Sequence, residues 1–367
     1  MNEKIKVLMV IHNLDVANGV ASFAMNYYRH LNHEKVQIDF AIYSNHETPY
    51  KTEIEAVGGH VYVLPPVKHL GSHLKACRHL IESGKYDVIH DNTLLISIPL
   101  MREAKRQKVT VRILHSHNSR LGETKKKQAR NALFLPYLRR QANAYAACSE
   151  LAAKAMFGES EYTFIPNVIE VKAYQYDTTV RKKKRSEMKA EKKRIIQTVG
   201  RLAFQKNPFF AMEVFDLIAD CLPDVEYWWI GNGPLEEQVA AKVKQLKHAD
   251  RVKLLGSRED VPDLYQAGDL FFCPSVFEGL SIALLEAQAS GLPCVVSNTL
   301  SREVECTDLV HFFSLDEPAQ KWSEFICKTL LDETTRRERT KELLQSKFSS
   351  LNAGPFIEEY WNSLLHR

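Results

Sequence analysis

The sequence predicts an α/β protein built from two doubly wound domains, each a parallel sheet covered by helices on both faces. Three observations carry that prediction. Short apolar runs such as Ile5–Ile11, Val36–Tyr43 and Leu270–Cys273 alternate with stretches of helical spacing through both halves of the chain. A length of 367 residues exceeds what one core ordinarily fills and suits two. Between Lys182 and Arg194 the alternation gives way to a charged run, KKKRSEMKAEKKR, and then begins again.

In the first half, the strand Ile5–Ile11 leads through the loop Asn13–Gly19 into a helix over Val20–Leu31. Further strands are expected at Val36–Tyr43, Val61–Leu64, Asp87–His90 and Val109–His115, with helices Tyr50–Val57, His73–Ser83 and Ile96–Gln107 between them. The lysine run reads as an exposed charged helix or linker at a domain boundary, a commoner fate for such a run than a nucleic-acid tail. Beyond it come strand Ile195–Val199, helix Pro208–Cys221, strand Glu226–Ile230, helix Leu235–Lys247 and strand Val252–Leu255. Helix Val261–Ala267, strand Leu270–Cys273, helix Ile282–Ser290 and strand Pro293–Ser297 follow. Near the end, Phe356, Tyr360, Trp361 and Leu364 share one face of a helix over Pro355–Leu365. The expected division is residues 1–175 and 176–354, with helix 355–367 packing back on the first domain.

Bulk properties narrow the function. A hydrophobic content of 45% and a charged content of 26% are those of a globular protein. No apolar run approaches the ~18–20 residues that span a bilayer, and MNEKIKVLMVIHNL lacks a cleavage site, so it reads as a buried strand in a cytoplasmic protein. A net charge of +4 supports neither a general nucleic-acid binder nor a strongly membrane-bound protein. Seven cysteines without a C-x-x-C pair, several inside apolar runs, read as reduced core thiols.

Chemistry is expected at strand-to-helix turns, because ligands of open parallel sheets bind outside the carboxyl ends of the strands. The segment Phe277-Glu-Gly-Leu-Ser-Ile-Ala-Leu-Leu-Glu286 follows such a strand, with Gly279, Leu280 and Ser281 expected to open a helix. Backbone N–H groups at a helix start form an anion site suited to a diphosphate. Glu278 precedes that helix and Glu286 lies eight residues on, about two turns or ~12 Å along an axis. Two carboxylates so spaced can each accept hydroxyl hydrogen bonds from opposite ends of one ligand.

This segment, with Ala289-Ser-Gly-Leu-Pro293 behind it, closely resembles the Glu-x7-Glu motif of retaining glycosyltransferases with the GT-B fold, family 4 above all. Matching pieces run in order across nearly the whole chain. Val199-Gly-Arg-Leu202 with Gln205-Lys206-Asn207 is similar to that family's G-R-L…K signature. Gly231-Asn-Gly233-Pro234 resembles its glycine turn, and Gly256-Ser-Arg-Glu-Asp260 the segment lining the nucleotide base. The resemblance implies two Rossmann-like domains facing a central cleft and a nucleoside diphosphate sugar as donor, with uridine the commonest base. It makes Glu278 the partner of the sugar and Glu286 that of the ribose. Arg201 and Lys206 would neutralise the diphosphate, with Gly231, Ser257 and Arg258 as further donor contacts.

Val109-Thr-Val-Arg-Ile-Leu-His115-Ser-His117 ends a strand on two histidines. The family carries a functional histidine at this strand end; His115 matches it, and His117 is the alternate. His90 and Asp91 are weaker candidates on the acceptor side. Relatives usually have a glycine pair in the first loop, whereas this chain keeps only Gly19. There is no Asp-x-Asp, no G-x-G-x-x-G and no P-loop, so activation without metal or other cofactor is the simplest expectation.

The implied reaction is transfer of a hexosyl unit, with retention, to a saccharide or lipid-linked saccharide, in synthesis of capsule, exopolysaccharide or lipopolysaccharide. The segment from Lys125 to Arg140 mixes basic and apolar residues. It suits docking to an anionic membrane at the inner face of the cell, and equally a solvated helix near an acceptor groove. A sugar-nucleotide epimerase or a non-catalytic nucleotide-sugar sensor on the same fold is the alternative.

Overall fold

The computed structural model describes residues 4–15, 18–44, 48–122, 124–332 and 338–367. Residues 1–3 of the first strand's approach and residues 16 and 17 of the loop Asn13–Gly19 lie outside that set. Two compact units form: the chain up to Val168 together with Ser350–Arg367, and Ile169–Ser349. The division comes earlier than residue 175, because Ile169 already belongs to the second unit, where its N–H donates to the Phe348 carbonyl at 2.8 Å.

The first unit holds a parallel sheet of β1 (Ile5–Val10), β2 (Val36–Ile42), β3 (Val61–Val63), β4 (Val88–Asp91), β5 (Val111–Ser116), β6 (Ala144–Ala147) and β7 (Thr163–Phe164). Its spatial order is β3-β2-β1-β4-β5-β6-β7. The second unit holds β8 (Arg194–Val199), β9 (Val225–Ile230), β10 (Val252–Gly256), β11 (Leu270–Cys273), β12 (Cys294–Ser297) and β13 (Val310–Phe313), ordered β10-β9-β8-β11-β12-β13 and again parallel. In both sheets the winding reverses beside the first strand, between β1 and β4 and between β8 and β11. Those two switch points are where a doubly wound sheet opens a crevice for ligand.

Burial on both faces explains why these strands read as unbroken apolar runs. All six residues of β9, VEYWWI, are buried, and Tyr227 and Trp229 pack in one core with Phe215, Phe272 and Trp322. Strands β6, β7 and β13 were not expected. Ala-Tyr-Ala-Ala is a poor strand former, and β7 has only two residues, so neither carries a pattern of its own.

The charged run begins in helix Thr178–Glu187, with Lys182, Lys183 and Glu187 exposed as expected, but Lys184 is buried and the helix is packed. Lys184 pairs with Asp260 at 3.0 Å and Glu187 at 2.7 Å. Arg181 donates to the carbonyls of Gln266, Ala267 and Gly268, satisfying the end of helix Val261–Ala267. The final helix, Ala353–Leu365, belongs to the first unit, and its buried face is Ala353, Gly354, Ile357, Tyr360 and Trp361. Phe356 is exposed, so the stripe lies one residue round from the one expected. Cys77, Cys148, Cys273 and Cys294 are buried, whereas Cys221 is exposed. Among the described residues no helix is long and apolar enough to cross a membrane.

Candidate active site

Each switch point carries a cluster of polar side chains. In the second unit β8 ends at Val199 and Gly200 follows with φ +150°, a conformation that favours glycine. A Cβ there would stand 2.7 Å from Lys206 Cε, so the missing side chain is what lets the lysine lie across the strand end. Lys206 Nζ meets Glu278 Oε1 at 2.6 Å. Glu278 is buried and takes two more donors, Ser275 Oγ at 2.9 Å and Gln205 Nε2 at 3.0 Å. Burial, the largest influence, would lower the Lys206 pKa, but the charge and hydrogen bond of Glu278 together with Cys273 outweigh it and hold the ammonium above its ordinary value.

This pairing alters the expected division of labour. Three donors on Glu278 leave about one of a carboxylate's roughly four lone-pair sites, enough for one further hydroxyl and too few to clamp a vicinal diol. The Lys206 charge is already matched by Glu278. Arg201 is exposed, with no ion pair among the described residues, and is the free cation beside the strand end. Ser275 and Gln205 are site residues that sequence reasoning missed; Gln205 adjoins Lys206 within the matched signature, which was the available signal.

Downstream, the helix begins at Ile282, with Ser281 as its N-cap, and not at Gly279. Gly279 and Leu280 are buried in the preceding bend, as glycine's poor helix propensity favours. Glu278 and Glu286 are therefore not two turns apart on one helix. Among the described residues Ser281 Oγ has no hydrogen-bond partner, though buried, whereas Ser149 in the same position caps its own helix. Glu286 accepts from Tyr174 Oη at 2.7 Å and Tyr265 Oη at 3.1 Å, one on each oxygen. Burial raises its pKa, opposed by those two hydroxyls. One lone pair on each oxygen remains, the arrangement a vicinal diol needs. Nothing in the sequence around Tyr174 marks it.

The glycine turn has a packing explanation. At Gly231 a Cβ would lie 2.4 Å from the Gly200 carbonyl oxygen, and at Gly233 2.4 Å from that of Leu202. Both glycines let the β9 turn press on the backbone of Gly200–Leu202 and so fix the loop that carries Arg201. Ser257 is exposed. Arg258 is held by Asp260 through Nε and Nη2, each at 2.7 Å, so its charge is locally matched.

In the first unit, β4 and β5 bring His90, Asp91, His115 and, just beyond, His117 to the switch point. His90 Nε2 lies 3.0 Å from His115 Nδ1, and the Trp361 indole nitrogen 3.2 Å from His90 Nδ1. His117 Nε2 meets Asn92 Oδ1 at 2.9 Å, and Phe23 packs against both His115 and His117. All three imidazoles are held neutral by burial: His90 and His117 are pushed down to about 3, and His115 well below its ordinary value. His115 Nε2 is buried with no hydrogen-bond partner among the described residues. Asp91, also buried, is pushed up to about 6 by desolvation, against hydrogen bonds from Ser97 and Thr93. Gly19 opens helix Gly19–Tyr28, whose N-cap Asn18 accepts from Val20 N at 2.9 Å. A Cβ on Gly19 would meet nothing within 4 Å among the described residues.

The family described as glycosyl transferases group 1 matches residues 179–343, and the glycosyl transferase 4-like domain matches residues 18–167. The chain is 30% identical over 349 residues to the putative glycosyltransferase EpsF of Bacillus subtilis, covering 91% of each. It is 28% identical over 231 residues to the UDP-Gal:alpha-D-GlcNAc-diphosphoundecaprenol alpha-1,3-galactosyltransferase of Escherichia coli, 60% of this chain and 59% of that one. Among solved structures, Anabaena Alr3699/HepE in complex with UDP and glucose superposes with a TM-score of 0.82 at 18% identity, over 98% of this chain and 100% of that one.

Proposed function

Since the chain belongs to the group 1 glycosyltransferases and has their GT-B architecture, we propose that it moves a sugar from a UDP-sugar to an acceptor hydroxyl with retention at the anomeric carbon. The observation that carries this reading is the pairing of Lys206 with the buried Glu278 at the β8/β11 switch point, with the unpaired Arg201 beside it. In the proposed assignment the second unit binds the donor. Arg201 and the remaining Lys206 protons meet the diphosphate, Ser281 and the backbone around Gly279 and Leu280 meet its oxygens, Glu278 takes one sugar hydroxyl and Glu286 the ribose diol. Ser257 and Arg258 border the base, and Gly231 shapes the turn.

The C1–O bond to the leaving phosphate breaks while the acceptor oxygen bonds to C1 on the same face, and the acceptor proton passes to the departing phosphate oxygen. Negative charge grows on the diphosphate as this happens, and fixed cations there stabilise the transition state more than the ground state. The first unit serves the acceptor side, with His115 donating to a sugar oxygen, His117 and Gly19 nearby. Because Arg201 supplies the unmatched positive charge and Lys206 further hydrogen-bond donors, transfer is expected to survive EDTA.

The test is Arg201→Ala. The side chain is exposed and unpaired, so its loss should leave stability within about 0.5 kcal/mol while lowering turnover by roughly 10²–10³-fold. Near-normal turnover in this variant and in Glu278→Gln would sink the assignment. A thermal-shift panel of nucleotide sugars identifies the donor, since a ligand at about 100 times its Kd adds about 2.7 kcal/mol of stability.

The names of similar proteins, an EpsF and a transferase acting on a diphosphoundecaprenol-linked sugar, support a saccharide or lipid-linked acceptor and a role in cell-surface polysaccharide synthesis. Helix Lys125–Arg139 supports contact with the inner face of the membrane: Leu133, Phe134 and Tyr137 on it are exposed, next to Lys125, Lys126, Lys127 and Arg130.

A further inference from the structure

We propose that Trp361, acting through His90, fixes His115 as a hydrogen-bond donor at Nε2, so that the last helix of the first unit positions the group that holds the sugar. The available hydrogens fix the direction of each bond. An indole nitrogen has one N–H and no lone pair to offer, so it can only donate. His90 Nδ1, 3.2 Å from Trp361 Nε1, must therefore be the acceptor. A neutral imidazole with a bare Nδ1 carries its proton on Nε2. That proton lies on the 3.0 Å line to His115 Nδ1, which must in turn be the bare acceptor. The His115 proton is then on Nε2, the atom that is buried without a partner among the described residues.

Two independent features support this direction of the chain. Burial keeps His90 and His115 neutral, so neither ring can donate from both nitrogens at once. The rings are also held in place: His90 lies edge-on to Trp361 at 6.1 Å, and His115 edge-on to Phe23 at 4.9 Å. A buried N–H left unpaired costs about 1–3 kcal/mol, a cost that is recovered when a ligand oxygen accepts from it. The chemical consequence is specific. His115 Nε2 has no lone pair, so it can donate to a hydroxyl, ether or phosphate oxygen, and it cannot remove a proton from the acceptor. Trp361 and His90 are positioning residues, since neither is proposed to touch substrate.

What His115 serves rests on the glycosyl-transfer reading above; its tautomer does not. Histidine-labelled protein examined by nitrogen NMR should show His115 bare at Nδ1 and protonated at Nε2, with and without UDP. Trp361→Phe keeps an aromatic ring and deletes the donor. It should populate the opposite His115 tautomer and lower kcat about tenfold, the worth of one hydrogen bond, with little change in donor KM. His90→Leu should do the same, and His90→Gln, whose amide N–H can replace Nε2–H, should recover most of the loss. A wild-type His115 protonated at Nδ1 overturns the relay without any variant needing to fold. Unchanged tautomer or unchanged kcat in both Trp361→Phe and His90→Leu overturns it as well. If Arg201→Ala and Glu278→Gln also retain full activity, it is the transferase assignment that has failed instead.

Discussion

At Gly200, a single missing methyl group decides whether Lys206 can reach Glu278. Alanine there would combine a φ of +150° with a contact of 2.7 Å to Lys206 Cε, so Gly200→Ala should lose about 1–3 kcal/mol and displace the lysine. Turnover should fall further than stability explains, which parallel measurement of both would show. Gly19 is the opposite case. A Cβ there meets nothing among the described residues, so Gly19→Ala should leave stability within about 0.5 kcal/mol, and any activity it loses reports a ligand close to that backbone. The residues that bear charge were legible because Glu278, Glu286, Arg201 and Lys206 sit in matched motifs. Their partners were not. Tyr174 and Tyr265 reach Glu286 from other segments of the chain, and no local pattern announces a hydrogen bond 112 residues away.

At the level of elements, strands with both faces buried could be read from their apolar runs, while the alanine-rich β6 and the two-residue β7 could not. Helix Thr178–Glu187 misled for a different reason. Its charges look like a solvated face, yet Arg181, Lys184 and Arg185 find Asp269, Asp260 and backbone carbonyls far along the chain. Arg181→Ala should therefore cost the second unit about 2–3 kcal/mol, and Lys182→Ala, on the exposed face, under 0.5, by thermal melting. Helix Lys125–Arg139 has three large apolar side chains facing solvent. Replacing Leu133, Phe134 and Tyr137 with Ser should abolish sedimentation with anionic liposomes and leave melting unchanged. Wild-type binding should weaken steeply with added salt.

Across the whole molecule, the two units should respond differently to acid. His90, His115 and His117 have folded-state pKa values depressed from an ordinary value near 6.5. A depressed imidazole contributes stability that is present above about pH 6.5 and lost as pH falls towards 3. Three of them remove about 4 kcal/mol per pH unit once the unfolded rings are charged. The first unit should therefore open before the second on acidification, which hydrogen exchange resolved by residue would reveal; simultaneous opening would contradict it. The division into two doubly wound units was legible from alternation alone, but the return of the chain to the first unit at Ser350 has a further effect. A ribosome finishes every strand of the first sheet well before it adds Trp361. At ordinary elongation rates the gap is on the order of ten seconds or more, during which the sheet can form while His90 lacks its fixed proton. Until Trp361 is added, the His90–His115 pair lacks the donor that sets its direction, so this hydrogen-bond chain is completed only after the second unit has been synthesised.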